Sequence, residues 1–211
     1  MASVTRASRK PQVKRQERRE QIERQLLEAT DRLMAGGASF TELSVDKLAT
    51  EAGISRASFY IYFEDKGDLL RRLATQVFGD LTEDAAHWWT VANRRDPADI
   101  HVSMTRLIGS YRTHQPVLVA LSEMAAYDAQ VGDTYRELLT GIAAQFTTVI
   151  EEGQADGSIR ANLLPGPTAS SLVWMVERSC QQNLPNQPPE YDAQLATALT
   201  EIIRGALYLD G

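Results

Sequence analysis

The chain has 211 residues, 43% of them apolar, 24% charged and 7% aromatic, which predicts one or two domains with a sizeable core and excludes disordered and collagen-like chains. Its single cysteine, Cys180, excludes an intrachain disulfide and a multi-cysteine metal site. The formal net charge of −6 is uneven: residues 1–72 carry +3, whereas residues 73–211 carry −9 and contain no lysine.

The first nineteen residues hold Arg6, Arg9, Lys10, Lys14, Arg15, Arg18 and Arg19 against Glu17. They are read as a basic disordered arm, 1–19, which is either a solvated tail or a segment that meets a polyanion. No apolar stretch follows it as in a secretory signal. No apolar run reaches the roughly 18 residues of a membrane helix, so a cytoplasmic location is the expectation.

Beyond the arm, apolar residues recur at helical spacing. Ile22, Leu26, Ala29 and Leu33 form the first stripe, closed by Gly36-Gly37. After a segment of short elements, the stripe resumes at Leu69, Leu73, Val77 and Leu81. Further stripes run through Ile100, Met104 and Ile108, through Tyr135, Leu139, Ile142 and Phe146, and through Leu195, Leu199, Ile202 and Ala206. Asp96-Pro97, Gln115-Pro116, the Gly153–Gly157 segment and the prolines at 165, 167, 185, 188 and 189 supply the breaks. About nine helices are expected, with no competing period-two run.

The segment 41–68, TELSVDKLATEAGISRASFYIYFEDKGD, carries the functional signal. Ser44 reads as an N-cap, with Asp46 in the first turn of a short helix. Gly53 supplies a tight turn, with Ile54 as its buried residue. Ser55 caps a second short helix. Two short helices joined by a glycine turn form either a small core hairpin or a helix-turn-helix, in which the second helix enters the DNA major groove. Ser55, Arg56, Ala57 and Ser58 at the start of that helix are short or polar, which suits close approach to DNA. Phe59 and Phe63, four apart, are assigned to the core. Tyr60 and Tyr62 cannot share their face, leaving their hydroxyls for phosphates.

The run LSVDKLATEAGISRASFYIYFEDKGDLL resembles the DNA-binding domain of the tetracycline-repressor (TetR) family of bacterial transcription regulators. The aromatic FYIYF run and the later MVER at Met175–Arg178 are similar to the subgroup containing the repressor of the ethionamide-activating monooxygenase. Val176 stands where that repressor carries Asn. The resemblance implies an all-α homodimer. Each chain would have an N-terminal three-helix DNA-binding domain with the helix-turn-helix (20–66) and a C-terminal six-helix ligand-binding and dimerisation domain (67–211). It assigns Ser44 and Lys66 to phosphates held at helix N-termini, and Tyr60 and Tyr62 to phosphate or sugar edges. Arg56 and Ser58, beside Ser55, become the candidates for base readout. Ile61 would meet a thymine methyl or shield the groove edge.

In the larger domain, the candidate ligand pocket is Trp88, Trp89, Tyr111, Met124, Tyr127, Phe146, Trp174 and Met175, chosen because aromatic residues concentrate there. A ligand site between helices is usually apolar with a few polar groups. The dimer face is expected on the last two helices, at Leu172, Val176, Leu195, Leu199, Ile202 and Ala206. The function expected is a ligand-responsive regulator, a repressor, that binds a pseudo-palindromic double-stranded operator and is released by a mostly apolar small molecule. The alternatives are a small helical enzyme using the same pocket, or a DNA-binding protein without an effector. No catalytic constellation is visible. His87, His101 and His114 have no metal-ligand spacing, and neither G-x-S-x-G nor H-E-x-x-H occurs. No catalytic residue, metal, cofactor or membrane partner is therefore assigned.

Overall fold

The computed structural model describes residues 9–90 and 97–208, with side chains at 15–86 and 98–208. These residues form nine α-helices and two short 3-10 turns. Helix α1 is Arg9–Ala35, so the basic segment is helical from Arg9 onward, a correction to the disordered arm expected over 1–19. The physical reason is local. Pro11 falls in the first turn, where its missing N–H is tolerated, and pairs four apart support the exposed face. Gln16 donates to Glu20 at 3.0 Å and Arg19 to Glu23 at 3.3 Å. Residues 1–8 lie outside the described residues. The helix ends at Gly36 and at Gly37, whose φ of 89° is costly for other residues.

A 3-10 turn at Phe40–Glu42 leads to α2 (Val45–Glu51) and α3 (Arg56–Tyr62). Ile22, Leu26, Phe40, Leu48, Phe59 and Phe63 are almost fully buried among α1–α3 and the start of α4 (Lys66–Thr90). Next come α5 (Pro97–Thr113), α6 (Gln115–Ala125), α7 (Ala129–Ala155), α8 (Pro165–Asn183) and α9 (Tyr191–Leu207). Helix α4 packs on α5, α6 and α7, α8 lies on α7, and α9 lies on α5.

The buried residues make one continuous cluster from Ile22 to Leu207. A boundary at residue 66 therefore does not separate two cores. Leu69, Leu70, Leu73, Ala74 and Val77 of α4 are fully buried and serve both parts. Helix α6 also touches α1, and Ser39 Oγ donates to Glu123 Oε2 at 3.0 Å across that junction. Arg112, at the end of α5, fastens the loop before α9. Its guanidinium binds Asp192 at 2.7 Å and Gln187 O at 2.9 Å, and also reaches Leu184 O. Such charge-assisted, several-fold contacts of one arginine are stronger than a neutral hydrogen bond. No helix among the described residues is long and apolar enough to cross a membrane.

Candidate functional site

The short helices are held by their ends. Ser44 Oγ accepts from Lys47 N at 3.2 Å, and Ser55 Oγ from Ser58 N at 3.0 Å, so both serines are N-caps as expected. At the C-terminus of α2, Gly53 N donates to Thr50 O at 3.1 Å and Ile54 N to Ala49 O at 2.9 Å. With Gly53 at φ 71°, these two bonds make a Schellman turn. Ile54 is half-buried and packs on the core below. The turn fixes where α3 points.

Phe59 and Phe63 face inward with ring centroids 5.2 Å apart. The opposite face of α3 is therefore presented outward. Ser55, Arg56, Ala57 and Tyr60 are exposed, Ser58 is half-buried, and Ile61 is 65% exposed. Tyr62 is half-buried against the core rather than fully outward. Arg56 reaches Asp46 of α2 at 2.5 Å and lies over the Tyr60 ring, 5.6 Å from its centroid. Both charged groups are more than half exposed, so the ion pair is weak and breakable.

The Lys66 ammonium donates to Phe40 O and Leu43 O, each at 3.3 Å, and to Thr41 O. It thus ties the 3-10 turn to the start of α4. Burial holds its pKa below the usual lysine value. Sequence spacing could not expose this, because the accepting carbonyls lie more than twenty residues upstream.

In the larger domain a cavity of about 100 Å³ lies between α4, α5, α7 and α8. Phe78, Leu81 and Ala85 of α4 and Met104 and Leu107 of α5 form one wall. Leu139, Ile142 and Phe146 of α7 form another, and Leu172, Val173 and Val176 of α8 a third. The polar groups are few: the hydroxyls of Thr82, Tyr111 and Tyr135, the Cys180 thiol and the Glu177 carboxyl. Tyr135 donates to Glu177 Oε1, and Glu177 Oε2 is buried without a hydrogen-bond partner. Burial raises the Glu177 pKa above its ordinary value, opposed by the Tyr135 hydrogen bond and by Arg178. Burial likewise pushes the Cys180 thiol up to about 12, which makes it a poor nucleophile.

Of the expected pocket residues, Tyr111 and Phe146 line this cavity. Tyr127 does not, being 86% exposed in the turn after α6. Trp174 stands behind the lining, edge-on to Tyr135 at 6.3 Å. Met124 and Met175 are half-buried against the core away from the cavity. The side chains of Trp88 and Trp89 lie outside the described residues. Leu172 and Val176, expected at a dimer face, line the cavity instead. Tyr135 and the aliphatic residues of α7 and α8 were missed as lining. Glu177, a carboxylate in a mostly apolar helix, is read from the sequence as either orienting a ligand or sitting in a structural ion pair, and the structure places it in the lining.

The last helix divides by face. Leu195, Leu199, Ile203 and Leu207 are buried within this chain. Leu195 and Leu199 therefore serve its own core, a correction to their expected role between subunits. Their periodicity marks a buried face without saying whose atoms cover it. Ala198, Ile202 and Gly205 lie on the outward side, and Ala206 is half-buried. Ile202 is 49% exposed.

A family model described as bacterial regulatory proteins, tetR family, matches residues 26–73. The chain is 30% identical over 189 residues to the HTH-type transcriptional regulator EthR of Mycolicibacterium smegmatis, a match covering 85% of this chain and 83% of that protein. An uncharacterized HTH-type transcriptional regulator of Haemophilus influenzae is 44% identical over 54 residues; the match spans 26% of this chain and 28% of that relative. The fatty acid degradation regulator FadR of Bacillus halodurans superposes with a TM-score of 0.74 at 14% identity, covering 87% of this chain and 95% of that one. FadR of Bacillus subtilis, in complex with stearoyl-CoA, superposes with a TM-score of 0.71 at 17% identity, covering 87% and 98%. At such identities these superpositions carry the fold.

Proposed function

The chain belongs to the TetR family of bacterial regulatory proteins, and from that premise we propose that it is a ligand-responsive repressor that binds a pseudo-palindromic operator as a homodimer. The observation that carries this reading is the outward face of α3. Its first turn presents Ser55, Arg56 and Ser58, while Phe59 and Phe63 lock the opposite face into the core. A helix so seated can enter a major groove with its N-terminal residues at base edges. The weak Asp46 pair holds Arg56 extended until a guanine, offering O6 and N7, replaces the carboxylate. Tyr60 and the basic residues of α1 would meet phosphates. Ser44, exposed at the N-terminus of α2, would offer its hydroxyl to the same phosphates.

Dimerisation is assigned to the outward faces of α8 and α9, around Ile202, Ala198 and Gly205. The small residues permit close helix approach, and a two-fold axis would make the face self-complementary. The effector is assigned to the apolar cavity. Helix α4 connects the two sites: Lys66 at its first turn is bonded beneath the helix-turn-helix, and Phe78 lies on the cavity wall. These residues are twelve apart, or about 18 Å along the helix. A ligand that fits only one setting of α4 would alter the spacing of two recognition helices on half-sites fixed about one turn of DNA apart.

The test is selection from a random duplex library followed by titration in increasing salt. The reading predicts one palindromic site. Its affinity should fall with a log–log slope of roughly −0.9 per phosphate neutralised. Binding no tighter to any selected duplex than to the starting library would contradict it.

A further inference from the structure

We propose, resting on the cavity reading above, that the cavity selects an amine: a slender apolar molecule whose protonated nitrogen meets Glu177. Among the described residues, the carboxyl is the one carboxylate of the lining. Its Oε1 is engaged by the Tyr135 hydroxyl, and its buried Oε2 has no hydrogen-bond partner. A buried acceptor without a donor is destabilising, and a ligand N–H would supply that donor. The rest of the wall is apolar, so the body of the ligand is hydrocarbon.

The approach to the cavity carries the same sign of charge. A surface groove between α4 and α7 shares Phe78, Thr82 and Ile142 with the cavity. Its rim carries Glu83 and Glu137, both exposed. Gly79 and Gly141 lie along it, and a methyl group added at either would meet nothing within 4 Å. Among the described residues, no lysine, arginine or histidine lines groove or cavity. Arg178 donates to Gln181 and Arg136 to Asp133. A carboxylate ligand would pass two acidic side chains and end against a third. A cation is attracted at each step, most strongly at the desolvated end.

The groups facing Glu177 are the Tyr111 and Tyr135 hydroxyls from α5 and α7, with Cys180 and Arg178 on its own helix. Burial raises the pKa of both tyrosines and of Cys180, so at neutral pH none of them is an anion competing for the ligand. A protonated Glu177 must give up its proton to pair with an ammonium. Amine affinity therefore rises with pH through the raised Glu177 value and levels off above it.

The experiment titrates the full chain with octylamine, 1-octanol and octanoate, each below its micellar range, by calorimetry and thermal melting. Octylamine is expected to bind roughly tenfold or more tightly than 1-octanol, with octanoate weakest. Glu177→Gln keeps an acceptor for Tyr135 and is expected to fold while losing the preference for the amine. Octanoate binding as tightly as octylamine, no binding of octylamine, or an unchanged preference in Glu177→Gln would overturn the proposal. If octanoate instead binds and releases DNA, the amine assignment falls and the regulator reading stands. If octylamine binds through Glu177 and DNA affinity does not change, the amine site stands and the regulator reading falls.

Discussion

The helix-turn-helix and the cavity are built from the same kind of helix, yet they differ in what orients their functional side chains. In the first, orientation is local. Two serine caps, one glycine turn and two phenylalanines lie within twenty residues, and together they decide which face of α3 looks outward. In the second, orientation is tertiary. Whether a residue of α7 or α8 meets empty space or a neighbouring helix depends on four helices far apart in sequence. A short capped motif can therefore be read residue by residue. A cavity can be read only as a concentration of apolar residues.

The largest expected effects sharpen the contrast on α9. Leu199 is 2% exposed, so Leu199→Arg buries an unpaired charge in the chain's own core. A loss of about 4 kcal/mol or more is expected, seen as a chain that does not fold. Ile202→Arg sits on the outward face. It should leave the thermal midpoint nearly unchanged while converting dimer to monomer by sedimentation. A stable Leu199→Arg monomer would return that residue to the subunit interface.

Phe59→Ala removes a fully buried ring beneath α3. A loss of about 3–5 kcal/mol is expected from chemical denaturation, and because the core is continuous, DNA binding should be lost in the same transition as the rest of the chain. Arg56→Ala should do the reverse. It leaves stability unchanged, and gel-shift titration should show roughly tenfold or greater loss on the selected site with relaxed preference at one base pair. Equal losses on selected and random duplexes would move Arg56 to the backbone. Ser55→Ala removes a cap and should cost about 1 kcal/mol.

These variants also mark where sequence reasoning held. The all-helical fold, the serine caps and the buried pair Phe59 and Phe63 were legible because spacing and capping are short-range. The carbonyl partners of Lys66 on Phe40, Thr41 and Leu43 were not legible because they come from another element. Tyr127 was misplaced because it falls in the turn beyond the last residue of α6, where an aromatic residue can face solvent. Leu172 and Val176 lie on a face that was rightly apolar, but the cavity is what faces it.

The smallest effect is a slope. Glu177 holds its proton more tightly in the folded chain than in the unfolded one, because burial dominates. Its contribution to stability is therefore greatest below the ordinary carboxyl value and declines as pH rises through the raised one. Urea unfolding of wild type and Glu177→Gln across pH 4 to 8 should show that decline in the wild type, with the variant flatter by the Glu177 share. Parallel curves would mean that the carboxyl is not desolvated.

The central claim is that α4 runs from the end of the recognition helix α3 to the cavity and couples the two. The most direct measurement is a thermodynamic cycle. A small molecule that raises the melting temperature is titrated with and without the selected duplex, and the duplex is titrated with and without the molecule. The account predicts that each weakens the other by the same factor, a coupling of about 1–3 kcal/mol. A molecule that occupies the cavity tightly and leaves DNA affinity unchanged would contradict it.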